Sequence, residues 1–261
     1  MPDYLPGWMI RINIIQDNER IHFSYEHYSG TLKTWYKNGK SQYVTNYLNG
    51  VSMGRHIKWD KDGIKFIGNK RNGQLHGGYK SFYENGKQKS EGFYDMGFQD
   101  KKCSKWYQNG IMETESFWLN HKKNGLHKGW YESGKKHYEI NYKSNYEHGK
   151  LITWHENGIV SNVGNWVNGD ADGEHIQKYK NGKIEFTGRY SNGEEIGLLE
   201  GWYKNGNKIF TGNWNNGKRI GIHLNWNSDG SFEKKEYYDN NGEFIKRELY
   251  NNGKLIKTEE K

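Results

Sequence analysis

"EGWYKNGNKIFTGNWNNGKRIG", residues 200–221, holds two Trp, one Tyr, one Phe and five Gly in 22 positions. Its Asn-Gly pairs at 205–206 and 216–217 are strong local cues to hairpin turns, because both residues tolerate positive φ. Between them Phe210, Gly212 and Trp214 fall two apart, the period of a strand. The stretch reads as strand, turn, strand, turn. Its rings are either displayed for a ligand or are the means by which the chain holds its shape.

Versions of this stretch recur along almost the whole sequence. A "WYxNG"-like signature ends at Gly39, Gly63, Gly86, Gly110, Gly134, Gly158, Gly182, Gly206 and Gly230, a spacing of 24 residues with one step of 23. Between these lies a second signature, aromatic-x-Asn-Gly-x-x-x-Gly, as in "YLNGVSMG", "WVNGDADG", "YSNGEEIG" and "WNNGKRIG". Lys101 replaces its last Gly, His121 and Asn145 replace its first, and Lys178 stands where Trp is expected in the other signature. Each unit carries two turn signals about ten residues apart, leaving room for strands of six or seven. The only prolines, Pro2 and Pro6, lie outside the array, as expected if every repeat N–H enters a ladder. The predicted fold is all-β: a repeat solenoid or meander of about nine 24-residue antiparallel hairpins forming an elongated, twisted single sheet.

Composition agrees with an unusual core. Leu, Ile, Val and Phe make up about 18% of the 261 residues, a level that by itself suggests disorder. Against that, the net charge is only +8, and 20 Tyr and 11 Trp supply large apolar area per residue. One cysteine, Cys103, forbids an internal disulfide. The N-terminus lacks the basic segment and apolar stretch of a signal peptide, and no apolar run reaches eighteen residues, so the expectation is a cytoplasmic or membrane-associated protein.

Alternation assigns the faces. Return strands read Phe186-x-Gly188-x-Tyr190 and Phe210-x-Gly212-x-Trp214, so a glycine shares a face with the rings and leaves room for a neighbouring ring to lie flat. The expectation is that the rings of one hairpin cover the glycine gaps of the next. The predicted structural aromatic array is Trp59, Trp106, Trp130, Trp154, Trp202 and Trp226 from outgoing strands. Return strands add Trp118, Trp166, Trp214, Tyr94, Tyr142, Tyr190 and Tyr238. A second column reads Cys103, His127, Leu151, His175, Leu199, His223. His accompanies Tyr and Leu accompanies Trp, a 48-residue super-repeat that predicts contact between the columns, by volume exchange or by His bonding to the Tyr hydroxyl. Residues 1–25 read as an N-terminal capping hairpin, 26–230 as the hairpin repeats, and 231–261 as a C-terminal capping hairpin with a charged, frayed tail.

The signature "WYxNGK…(Y/W)xNGxxxG" resembles the MORN repeat variant of YwqK-family antitoxin-like proteins, and more distantly the MORN repeats of eukaryotic scaffold proteins. The resemblance implies non-enzymatic binding, through protein partners, self-association or acidic phospholipids, and no cofactor.

Chemical motifs are weighed against packing. His56, His127, His175 and His223 share a column, but the last three stand two repeats apart, about 20 Å, too far for one metal ion. "DADGE" at 170–174 lacks the spacing of an EF-hand loop and reads as a turn. Cys103 reads as a buried thiol in the packing column. No nucleophile elbow, phosphate loop or paired-carboxylate motif is present, so no enzyme is expected. Charge is more informative: residues 1–130 hold 20 Lys and Arg against 12 Asp and Glu, while the rest are balanced. Arg55, Lys58, Lys101, Lys102, Lys105, Lys122 and Lys123 are therefore candidates for a basic contact surface. The leading expectation is a repeat scaffold for a protein partner, a toxin or an assembly subunit, or for a second copy of itself. A peripheral membrane module and a glycan-binding aromatic module are the alternatives; nucleic acid is disfavoured, because the rings recur in the neutral half too.

Overall fold

The computed structural model describes residues 28–36, 38–60 and 63–261. They form a 23-stranded antiparallel sheet, an open meander without helices, and no helix among them is long and apolar enough to cross a membrane. The chain falls into two compact units, Met1–Lys123 and Asn124–Lys261. The N-terminal hairpin expected over residues 1–25 lies outside the described residues.

Strands such as Gly30–Trp35, Gly125–Trp130 and Phe232–Tyr238 have the six or seven residues expected, and many others are longer. A typical unit has an outgoing strand such as Glu194–Trp202 and a return strand such as Lys208–Asn215. The difference comes from the turns, which are tighter than their spacing suggests. The two Asn-Gly turns of each unit are physically distinct. In the second, both residues take positive φ, as at Asn192 (50°) and Gly193 (84°), the two-residue geometry that matches strand twist. In the first, only the glycine does, as at Gly206 (101°), while Asn205 instead accepts the Asn207 N–H on its side-chain oxygen at 3.0 Å. Gly206 N–H donates to the Tyr203 carbonyl and Tyr203 N–H to the Asn207 carbonyl, both at 2.8 Å. Shared positive φ, expected at every Asn-Gly, therefore holds only for the second class.

The last glycine of the second signature is also left-handed, as at Gly173, Gly197 and Gly221, and Lys101 takes the same conformation at φ 59°. Each such site is a bulge that re-aims the outgoing strand. At Gly77, Gly125 and Gly173 the strand is interrupted, giving the short segments Gln74–Leu75, Lys122–Lys123 and Asp170–Ala171.

Much of the core lies along one row of paired residues. In the first unit cross-strand pairing joins Leu32, Thr45, His56 and Gly68, then Tyr79 and Gly92, then Cys103 and Ser116, and the close approach of Gly68 to Tyr79 and of Gly92 to Cys103 makes these one row. In the second unit, His127 pairs with Ile140 and Leu151 with Gly164, His175 with Gly188, Leu199 with Gly212 and His223 with Glu236. Most buried side chains among the described residues are on these rows: Leu32, Thr45, Tyr79, Cys103, His127, His175, Leu199, His223 and Glu236. Residues 231–261 do not fray as expected: Phe232–Tyr238, Phe244–Asn251 and Lys254–Glu260 continue the meander.

Candidate functional site

Glycines on the row are sockets. A Cβ on Gly188 would lie 2.7 Å from the Phe186 ring and 2.9 Å from Leu199 Cγ. One on Gly164 would lie 2.5 Å from the His175 ring and 2.8 Å from Trp166, and one on Gly212 would collide with His223. The expected covering of glycine by the next hairpin's ring is thus corrected in detail. The next hairpin supplies the column residue, His175, Leu199 or His223, and the ring comes from the glycine's own strand.

The two columns do touch. His175 lies 4.5 Å from Trp166 and 4.9 Å from Tyr190, ring centre to ring centre, and His223 lies 4.4 Å from Trp214 and 5.2 Å from Tyr238, all edge-on. Tyr142 stands 4.7 Å from His127 and Tyr94 4.7 Å from Tyr79, while Trp118 donates its indole N–H to Ser116 Oγ at 3.1 Å. Edge-on rings place positive edges on negative faces. The expected bond from His to the Tyr hydroxyl is not made at His175 or His223. Their Nε2 atoms instead face the carbonyls of Asn165 (3.0 Å) and Asn213 (2.9 Å). Burial holds both imidazoles below the usual histidine range, against the opposing pull of those carbonyls. Burial likewise raises the Cys103 thiol above its usual range, disfavouring thiolate.

The outgoing-strand tryptophans stand three residues after the row residue and therefore on the opposite face. The aromatic array divides between two faces. Backbone carbonyls of these tryptophans do work that sequence reasoning missed. The hydroxyls of Tyr36, Tyr83, Tyr131, Tyr179 and Tyr203 donate to the carbonyls of Trp59, Trp106, Trp154, Trp202 and Trp226, 2.6–3.2 Å away. Where His155 replaces Tyr, its Nε2 meets the Lys178 carbonyl at 2.7 Å. The signal was in the sequence: a Tyr recurs after Trp35, Phe82, Trp130, Lys178 and Trp202, at the same place in successive units. Trp130 ends the strand Gly125–Trp130, opposite Lys136.

The second-turn edge has its own stitch. Gly169, Gly193 and Gly217 donate their N–H to the carbonyls of Glu147, Ala171 and Glu195, at the second turn of the unit before. Gly50, Gly73 and Gly97 do the same to Tyr28, Ser52 and Leu75.

The seven basic residues expected to form one contact surface do not. Lys58 and Lys105 stand two residues beyond His56 and Cys103, on the row face. Arg55, opposite Asn69, faces the other way. Lys101 and Lys102 lie over Phe93 (4.1 Å) and Phe117 (6.0 Å), and Lys102 is bound by Glu115 at 2.6 Å. Lys122 and Lys123 lie at a second turn, opposite Leu119 and Trp118. Among the described residues no group of three or more His, Cys, Asp or Glu could hold a metal ion.

Comparison with known proteins agrees with this architecture at the level of the repeat. No curated protein matches the chain. Among solved structures, it is similar to a chain of one described as "Crystal Structure of TcdB2-TccC3-Cdc42", at 11% identity and a TM-score of 0.16. That match covers 85% of this chain and only 18% of the other. Four segments, residues 28–49, 72–96, 123–144 and 171–192, are similar to the MORN repeat variant.

Proposed function

We propose that this chain is a non-enzymatic repeat scaffold that binds a protein partner. The supporting observation is the contrast between a regular interior and an irregular rim. The row repeats unit after unit, whereas large apolar side chains stand exposed beside the second turns: Leu48, Val51, Phe98 and Leu119 in the first unit, Tyr146 and Val167 in the second. Clustered exposed apolar side chains suit an interface, and extended repeat surfaces suit this use. The four MORN repeat matches are consistent with it. A membrane meets one face at a time, so basic side chains divided between two faces favour a protein partner over a lipid surface. The finer reading, that the partner is a toxin neutralised by this chain, rests on the resemblance to YwqK-family antitoxin-like proteins.

Cross-linking and capture from the native source test the reading. A partner is expected to be retained by the native chain and lost from Phe98→Asp and Leu119→Lys, which replace exposed side chains and leave the melting temperature nearly unchanged. Capture that is equal in native and variant chains, or binding only to anionic liposomes, overturns it. A toxin as the captured partner, inhibited on addition of the chain, carries the finer reading.

A further inference from the structure

On the row face of the first unit the repeat breaks its own rule at one position. The return-strand ring column includes Tyr94 opposite Gly77 and Trp118 opposite Lys101. At the equivalent place opposite Gly54 stands Lys70. Tyr94 covers the row residue Tyr79, and Tyr190 covers His175; no such ring covers His56 at this position.

The missing ring leaves an open hollow of about 770 Å³, lined by Tyr36, His56, Lys58, Trp59, Phe66 and Lys70 among others. Neither Lys58 nor Lys70 has an ion-pair partner among the described residues. The lining carboxylate, Asp60, is held by Lys65 at 2.8 Å. His56 Nδ1 is bonded to the Thr45 hydroxyl, so Nε2 is its remaining polar atom. Burial, then the charges of Lys70 and Lys58, keep this imidazole unprotonated down to about pH 4, and burial pulls Lys70 below the usual lysine range. With Lys58, Lys65 and Lys70 against the single carboxylate Asp60, the lining around this neutral imidazole carries a positive potential.

We infer that the hollow is a binding site for an oxyanion of the phosphate class, with Lys58 and Lys70 neutralising a dianion and His56 Nε2 bonding one of its oxygens. Two ammonium groups match a dianion better than a lone carboxylate. Phe66, two residues before Gly68 and so on the row face, leaves an apolar wall for the organic body of a phosphate ester. The site is independent of the protein-binding reading above, because loss of a captured partner leaves phosphate binding measurable.

The test is a titration of the full chain with inorganic phosphate, read on the imidazole proton resonances. The expected result is a saturable shift of the His56 signal and a rise in its apparent pKa. Lys70→Tyr restores the ring of the repeat, and its fold is checked by circular dichroism; Lys58→Gln removes a cation without touching the row. Each is expected to weaken phosphate binding at least about tenfold, the loss of one charge-assisted hydrogen bond. Lys150→Gln, in the second unit, leaves it unchanged. An unmoved His56 signal, or equal affinity in both site variants and the native chain, overturns the proposal. Binding to anionic vesicles without response to free phosphate also overturns it, in favour of a lipid surface.

Discussion

Two stretches of the same buried row, both in the second unit, are held by opposite means. From Leu151 to His223 the row alternates a side chain with a glycine, and each glycine is the socket for its neighbour. Twenty-four residues after Gly212 the glycine is replaced by Glu236, and the row continues through Arg247 and Glu259. Glu236 is almost wholly buried and takes Arg247 at 2.7 Å, Lys234 at 3.2 Å and Arg219 at 3.3 Å. Arg247 also reaches Glu259, and Lys246 pairs with Glu248. The glycine stretch depends on empty space and shape. The terminal stretch fills the same space and depends on charge.

The largest effect should come from filling a socket. Gly212→Ala places a methyl group against the His223 ring, which is locked between Trp214 and Tyr238. We expect a loss of about 2–3 kcal/mol in urea unfolding, the cost of overpacking a rigid site. The loss should be the same in low and high salt. A neutral Gly212→Ala would show that the row can open and would end the contrast.

Next comes Glu236→Gln. Removing the carboxylate leaves three cations facing an amide, but those cations are partly exposed, so the cost is about 1–2 kcal/mol rather than that of a sealed pair. Here salt matters. Raising ionic strength to about 1 M should shrink the deficit markedly, because screening already weakens the native network. Equal salt response in the Gly212→Ala and Glu236→Gln proteins would erase the distinction between the two stretches.

Protons sharpen the same comparison. The neutral forms of His175 and His223 are favoured in the folded state by burial, so their contribution is complete above about pH 6.5 and declines as pH falls below it. For Glu236, burial pushes the carboxyl up, but Lys234 and Arg247 outweigh it and the net shift is downward. Its contribution is complete above about pH 4.5 and is lost as pH falls through the lower folded value. His223→Leu, copying the residue at Leu199, should therefore flatten the stability curve as pH falls below about 6.5, and Glu236→Gln should flatten it only as pH falls below about 4.5. Urea midpoints across pH decide the matter.

What the sequence made legible follows from periodicity. Gly188, Tyr190, Gly212 and Trp214 sit two apart and twenty-four apart, and those two numbers dictate strands, register and the shared face of ring and glycine. Three things were not legible. The two Asn-Gly classes carry identical letters, and only the flanking hydrogen bonds separate them: Asn205 caps Asn207, whereas Asn216 adopts positive φ itself. The tail "KTEEK" shows charge but not pairing, and its order comes from the cross-strand partner Arg247, twelve residues before Glu259. Lys58 and Arg55 look like one basic cluster in sequence, yet strand alternation sends them to different faces. Tertiary partners decided each case, and a single sequence does not name them.

The smallest effect is also the most local. In the socket stretch the units are tied forward by a turn side chain, His155 to the Lys178 carbonyl and the Tyr179 hydroxyl to the Trp202 carbonyl at 2.6 Å. At the start of the terminal stretch the position after Trp226 is Asn227, whose side-chain amide turns inward to Ser231 Oγ at 3.0 Å instead of reaching the next unit. The forward tie stops where the ionic row begins. Tyr179→Phe keeps the ring and deletes one hydrogen bond, so it should cost about 1 kcal/mol. Asn227→Ala removes only a bond inside its own turn and should cost less than half as much. Because the Tyr179 bond joins successive units, amide exchange should accelerate in the return strand Ile184–Ser191 of the Tyr179→Phe protein and stay unchanged in Phe244–Asn251. Faster exchange spread evenly over both strands would mean that the hydroxyl supports the fold only globally and ties no particular pair of units.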